Sequence, residues 1–215
     1  MALTGFDPEV VRTSIGAVKG AYENLIQALG DDMQTQFIGG MSDKWACNQA
    51  QRFFNEAFKP SIDSLINNSN RIFESVVRAM NSAAQQWAID TESSYSPYQF
   101  SVISKTMDIS GIQENIGGVR GIDKENANSV SSKLPIIAES AKTALTSAQN
   151  AVQNCGFMGG NQASSLINSL GTIKTNIDNA VQEITNSSKT AIDNTVTAYS
   201  DTAGKVAEAF AGQQG

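Results

Sequence analysis

Apolar residues along this chain recur at steps of three and four, and they draw four separate helical stripes. The first runs through Val11, Ile15, Val18, Tyr22, Leu25, Leu29, Met33 and Phe37. Its start is marked by Asp7 as N-cap, Pro8 at the first helical position and Glu9 at the positive end of the dipole. Gly39-Gly40 is the expected stop. The second stripe is Phe54, Phe58, Ile62, Leu65, Ile72, Val76, Met80, Ala83 and Trp87, with Ser69 filling one gap. Its cap is expected at Ser42 or Asp43. Pro60 lies inside it and should kink the helix, because one backbone hydrogen bond is lost there.

The rhythm breaks between Thr91 and Gly121. Tyr95-Ser96-Pro97-Tyr98 reads as a turn. Tyr98, Phe100 and Val102 alternate with polar residues, as in an extended segment lying on an apolar surface. Gly111, Gly117 and Gly118 punctuate the rest. A long, mostly irregular linker is expected, with at most one short helical turn. The third stripe, capped at Asp123, is Val130, Leu134, Ile137, Ala141, Leu145, Ala148 and Val152, bent at Pro135. The fourth follows Gly159-Gly160 and runs Leu166, Leu170, Ile173, Ile177, Ile184, Ile192, Tyr199, Val206 and Phe210. Residues 213–215 should fray. The expected organisation is a hairpin over 1–90, a linker over 91–121 and a hairpin over 122–215.

Two helices, a linker and two helices suggest an internal duplication. Ser61-Ile62-Asp63-Ser64 matches Asn176-Ile177-Asp178-Asn179, and Asn48-Gln49-Ala50 matches Asn161-Gln162-Ala163. Phe37-Ile38-Gly39-Gly40 pairs with Phe157-Met158-Gly159-Gly160 as a turn signal.

Composition narrows the function. Charged residues are 17% of the chain and hydrophobic residues 40%, so Ser, Thr, Asn and Gln supply much of the polar surface. The net charge is −6, and the basic residues are scattered singly. A nucleic-acid binder needs a basic stripe to displace counterions from phosphates, and none is present. The chain has no histidine. That removes the commonest general base, the usual partner of a Ser or Cys nucleophile and the commonest metal ligand. Asp31-Asp32 reads as solvated surface. No catalytic, cofactor or metal site and no small-molecule substrate is expected, and the chain reads as a non-enzyme. No stretch reaches the ~20 apolar residues of a membrane span. Sparse Lys and Arg argue against binding to an anionic membrane surface. Residues 1–7 lack the basic start and apolar core of a Sec signal peptide.

The first hairpin turn reads Met41-Ser42-Asp43-Lys44-Trp45-Ala46-Cys47. A Trp at the start of a long second helix resembles the WXG family of helical hairpins, the substrates of type VII (ESX) secretion in Gram-positive bacteria and mycobacteria. Here Cys47 stands where the motif has Gly. The second hairpin offers Phe157-Met158-Gly159, with Phe for Trp. The resemblance covers residues 7–90 well and 122–210 more loosely. The family's Tyr-x-x-x-Asp/Glu export element has no counterpart, since Tyr95, Tyr98 and Tyr199 are followed at the fourth place by Gln99, Val102 and Ala203.

The resemblance implies an all-α protein exported without a signal peptide, cytoplasmic first and then secreted or at the cell surface. Its expected partners are proteins, namely the secretion machinery or a co-secreted toxin or other substrate. Trp45, Cys47, Phe157 and Gly159 are the candidate contact residues. Family hairpins pair antiparallel into a four-helix bundle, so the chain is expected to form an intramolecular pseudo-dimer, as monomer or homodimer. A 30-residue helix is ~45 Å long, and a linker of roughly 30 residues reaches ~100 Å, so the crossing is easy. Antiparallel packing separates Cys47 from Cys155, whereas an even cysteine count in an exported protein favours a disulfide. Free thiols are the expectation. The rival reading is a structural helical-bundle protein of a phage or cell surface.

Overall fold

The computed structural model describes residues 6–211, with side chains up to Glu208. Phe210's side chain and residues 213–215, on which expectations were placed above, lie outside the described residues. The chain is mainly helical. The first helix covers 8–41, the second 48–90, the third Lys124–Ser131 and Leu134–Gln153, and the fourth Gly160–Ala211. The first packs on the second and on the third, and the fourth packs on the third and the second. One apolar core joins all four.

Asp7 caps the first helix as expected, its carboxylate accepting from the Glu9 N–H at 2.9 Å. All eight positions of the first stripe are buried. The helix changes pitch midway. Gln27–Ile38 is a π-helix between α-helical Pro8–Ile26 and Gly39–Met41. Its i→i+5 bonding is rare over such a length. The buried positions Ala28, Met33 and Ile38 follow one another at steps of five. That spacing suits the wider turn.

Gly39-Gly40 does not end this helix. Both glycines lie inside it, and the chain turns only after Met41. Gly40 serves close packing, because a Cβ there would sit 3.0 Å from Val130 Cγ1. Ser42 and Asp43 do not cap the second helix either. Ser42 donates backward to the Gly39 carbonyl at 2.9 Å, which closes the first helix. Asp43 pairs with Lys44 at 2.9 Å, and that bond holds its carboxyl below the usual range. The second helix begins at Asn48, with extended Cys47 as the residue before it.

The Pro60 irregularity takes the form of a second π-segment, Phe54–Phe58, which passes into α-helix at Lys59. The second stripe is buried at Phe54, Phe58, Ile62, Leu65, Val76 and Met80. Ile72 and Ala83 sit at its edge, and the fully buried neighbours are Phe73 and Ala84. Ser69 is buried and donates to the Leu65 carbonyl at 2.7 Å. Pro135 breaks the third helix into two pieces, and Asp123 caps the first of them.

The linker contains no helix; it makes a hydrogen-bonded turn at Ile109–Ile112 and another at Gly117-Gly118, and Tyr95–Tyr98 forms no turn. Its alternation also slips. Tyr98 and Phe100 pack inward, but Val102 is 44% exposed, and Ile103 and Met107 take the inward places.

Candidate functional site

Trp45 and Ala46 form a two-residue strand, β1, ahead of the second helix. It pairs antiparallel with β2, Gly121–Ile122, as Trp45↔Ile122 and Ala46↔Gly121. The Asp123 N–H then donates to the Lys44 carbonyl at 2.7 Å. The end of the linker is thus fastened to the first turn. Trp45 therefore does not sit at a helix start, as the motif suggested.

The Trp45 ring has 0% exposure. It stacks on Phe53 at 5.7 Å between centroids and meets Phe54 edge-on at 6.4 Å. Its indole N–H donates to Thr195 Oγ1 of the fourth helix at 3.3 Å. Thr195 in turn donates to the Ala191 carbonyl at 2.7 Å. Every polar group of this pair is therefore partnered. Nearby, Ser131 and Ser188 share a buried hydrogen bond of 2.8 Å, and Lys124 pairs with Asp193 at 3.0 Å.

The other candidates lie elsewhere. Phe157 is buried, 3% exposed, in the turn before the fourth helix. Its carbonyl accepts the indole N–H of Trp87, from the last turn of the second helix, at 2.5 Å. Two tryptophans of the first half thus each donate an N–H to the second half, one near each end of the second helix. Gly159 is exposed and has room for a side chain. The glycine this turn requires is Gly156, whose φ of 73° lies in the left-handed region. The proposed equivalence of Phe37–Gly40 with Phe157–Gly160 fails, because the former lies within a helix and the latter leads into the start of one. Asn48-Gln49-Ala50 and Asn161-Gln162-Ala163 do match in place, each in the opening turn of its helix.

Cys47 and Cys155 are both buried and free. We expect non-reducing mass spectrometry to find two unbridged thiols. A small alkylating reagent should reach both only after denaturation.

The linker forms a strap over the first hairpin, as the alternation at Tyr98 and Phe100 suggested, but held by polar anchors that the apolar pattern did not show. Asn81 Oδ1 accepts from the Tyr98 N–H at 2.8 Å, and Asn81 Nδ2 donates to the Tyr98 carbonyl at 3.0 Å. Tyr22 Oη accepts from the Ile103 N–H at 2.5 Å, and Asn70 donates to the Ile103 carbonyl at 3.1 Å. Burial raises the Tyr22 phenol pKa, and the Ile103 bond opposes that. Asp63 accepts from the Met107 N–H at 2.7 Å, while Lys59 donates to its carbonyl at 2.6 Å. Gln34 holds both backbone groups of Asp108 at 2.9 and 2.7 Å. Four strap residues thus have their backbone satisfied by helix side chains, as a neighbouring strand would do. The signal in the sequence was polar: Lys59, Asp63, Asn70 and Asn81 recur at four, seven and eleven residues, on one face of the second helix.

Among the described residues no group of three or more Cys, Asp or Glu is arranged to hold a metal ion. No described helix is long and apolar enough to cross a membrane. A shallow groove of about 660 Å³ lies between the first and third helices, lined by Glu9, Val10, Thr13, Ser14, Ala17, Ser147, Asn150, Ala151 and Asn154. Glu9 is its single ionisable group, so acid–base chemistry has no second partner there. No protein-family model matches this sequence, and neither curated proteins nor solved structures give a match.

Proposed function

We propose that this chain is a tandem WXG-like protein exported by a type VII (ESX-like) system, acting without catalysis as an effector or adaptor through its helical surface. In this reading the two hairpins pair antiparallel as an intramolecular four-helix bundle, and the second hairpin takes the place of a separate partner subunit. The observation that carries it is the Trp45–Thr195 contact. The tryptophan of the first turn lies against the far part of the fourth helix, not against the second turn. At the opposite end Trp87 bonds Phe157 in that second turn. These two contacts, taken together, are what two oppositely directed hairpins would make. A strap running the length of the first hairpin is the connection such a pairing needs.

The turn tryptophan then acts inward, fastening the halves, and Cys47 and Phe157 are likewise enclosed. Contacts with protein partners fall to the outer helix faces. Deleting the secretion ATPase in the source organism should remove the protein from the medium and leave it in the cells. Undiminished release from that strain would refute export by this route.

A further inference from the structure

The buried positions of the fourth helix advance by three, four and four. Leu170, Ile173 and Ile177 are followed by Val181, Ile184 and Ser188, then by Ile192 and Thr195, all buried. Such an eleven-residue repeat keeps the line nearly parallel to the helix axis. The same steps continue to Tyr199, Ala203 and Val206. There the burial ends. Tyr199 is 39% and Val206 49% exposed, and each described side chain from Thr197 to Glu208 is exposed. The apolar seam therefore outruns the core of its own chain. The projecting part, residues 197–211, is a helix about 22 Å long.

A second apolar feature stands at the root of this projection. Ile116 and Val119 exchange backbone hydrogen bonds of 2.9 and 3.0 Å around Gly117 and Gly118. Both glycines have positive φ, 58° and 83°, as this tight turn requires. The turn leaves Ile116 42% and Val119 68% exposed. It lies beside the seam, since the β2 strand that follows it packs on the fourth helix. Tyr199, Val206, Ile116 and Val119 are four of the eight large apolar side chains that stay exposed among the described residues.

Charge decides what can cover this patch. The chain carries −6, so two copies meeting at most faces oppose like charge. Here Asp201, Lys205 and Glu208 fall on the side of the helix away from the seam, and Ser200, Thr202 and Ala207 flank it. The ionic groups at the root are paired, Arg120 with Glu114 and Lys124 with Asp193. An identical uncharged patch meets no repulsion.

We propose that two copies of this chain associate through this end, their projecting helices pairing antiparallel along Tyr199, Ala203 and Val206, with the Ile116–Val119 turns closing the edges. The contact is isologous, so Tyr199 of one copy meets Val206 of the other and the reverse. Two such short helices bury less than the ~1,200 Å² of a stable interface. The dimer is therefore weak and concentration-dependent. This inference is independent of the export reading.

Sedimentation equilibrium on the full chain tests it. From about 10 µM to about 1 mM, the average mass should climb from that of one chain toward that of two. The double variant Tyr199→Glu, Val206→Glu should stay monomeric throughout. Circular dichroism should show its helicity and melting unchanged, because both side chains are exposed. Asp201→Lys, on the opposite face, should leave the association in place. A monomer at every concentration overturns the proposal, as does association that survives the double substitution. Binding of the unaltered chain to phosphatidylglycerol vesicles without self-association would also overturn it, and would assign the seam to a membrane surface.

Discussion

Trp45→Ala should lower the unfolding midpoint by about 6–20 °C. Truncating a fully enclosed Trp costs about 3–5 kcal/mol, as lost transfer energy and a cavity. For a chain of this size each kcal/mol moves the midpoint by roughly 2–4 °C. The site has little freedom to collapse. Phe53 and Phe54 hold the ring from the second helix, and Thr195 holds it from the fourth. Trp45→Phe separates packing from hydrogen bonding. It keeps an aromatic ring against Phe53, and Thr195 retains its bond to Ala191, so no buried donor is orphaned. Its cost should be nearer ~1–2 kcal/mol. Scanning calorimetry on the three proteins gives the order. A midpoint for Trp45→Ala within about 2 °C of the parent would mean that the ring is not in the core.

The same pair of variants bears on export. In this structure the residue that carries the family resemblance is an internal tie. Loss of secretion in Trp45→Ala would therefore confound recognition with unfolding. Trp45→Phe retains the fold, so a secretion defect in that variant reports recognition of the turn itself.

Helix stripes were legible in the sequence because an apolar face declares its own period. All eight positions from Val11 to Phe37, and all seven from Val130 to Val152, are buried. Asp7, Asp123 and the break at Pro135 were legible for the same local reason: caps and prolines act within one turn. The errors fell where a residue's role depends on what lies across the fold. Gly40 looked like a helix stop until Val130 was seen against it. Trp45 read as a candidate partner contact because nothing in its neighbourhood names Thr195, 150 positions away. The anchors of the strap were hidden for a different reason. Most of them are polar side chains, Gln34 of the first helix and Lys59, Asp63, Asn70 and Asn81 of the second, at positions where an apolar-periodicity reading assigns only solvent.

That polar face should be separable from the core. The triple variant Asn81→Ala, Asn70→Ala, Asp63→Ala should be cut by trypsin within the strap, at Lys105, roughly 10²–10³ times faster than the parent. Asn81 holds both backbone groups of Tyr98, Asn70 the Ile103 carbonyl and Asp63 the Met107 N–H, and Asp63 also keeps Lys59 in place at 2.8 Å. Each bond lost is worth about 1 kcal/mol net, and those to charged groups somewhat more. Removing the set favours the open strap by about 3–4 kcal/mol. Cleavage follows the open population when closing is fast. The helices themselves should persist, because the three residues lie outside the apolar stripe and Ala is the better helix former. Far-UV circular dichroism should therefore match the parent while Lys105 becomes accessible. Equal cleavage rates would show that the strap is held by Phe100, Ile103 and Met107 packing alone. A rate that rises only with loss of helix would show that the strap and the first hairpin open together, so that the strap is part of what holds the first and second helices side by side.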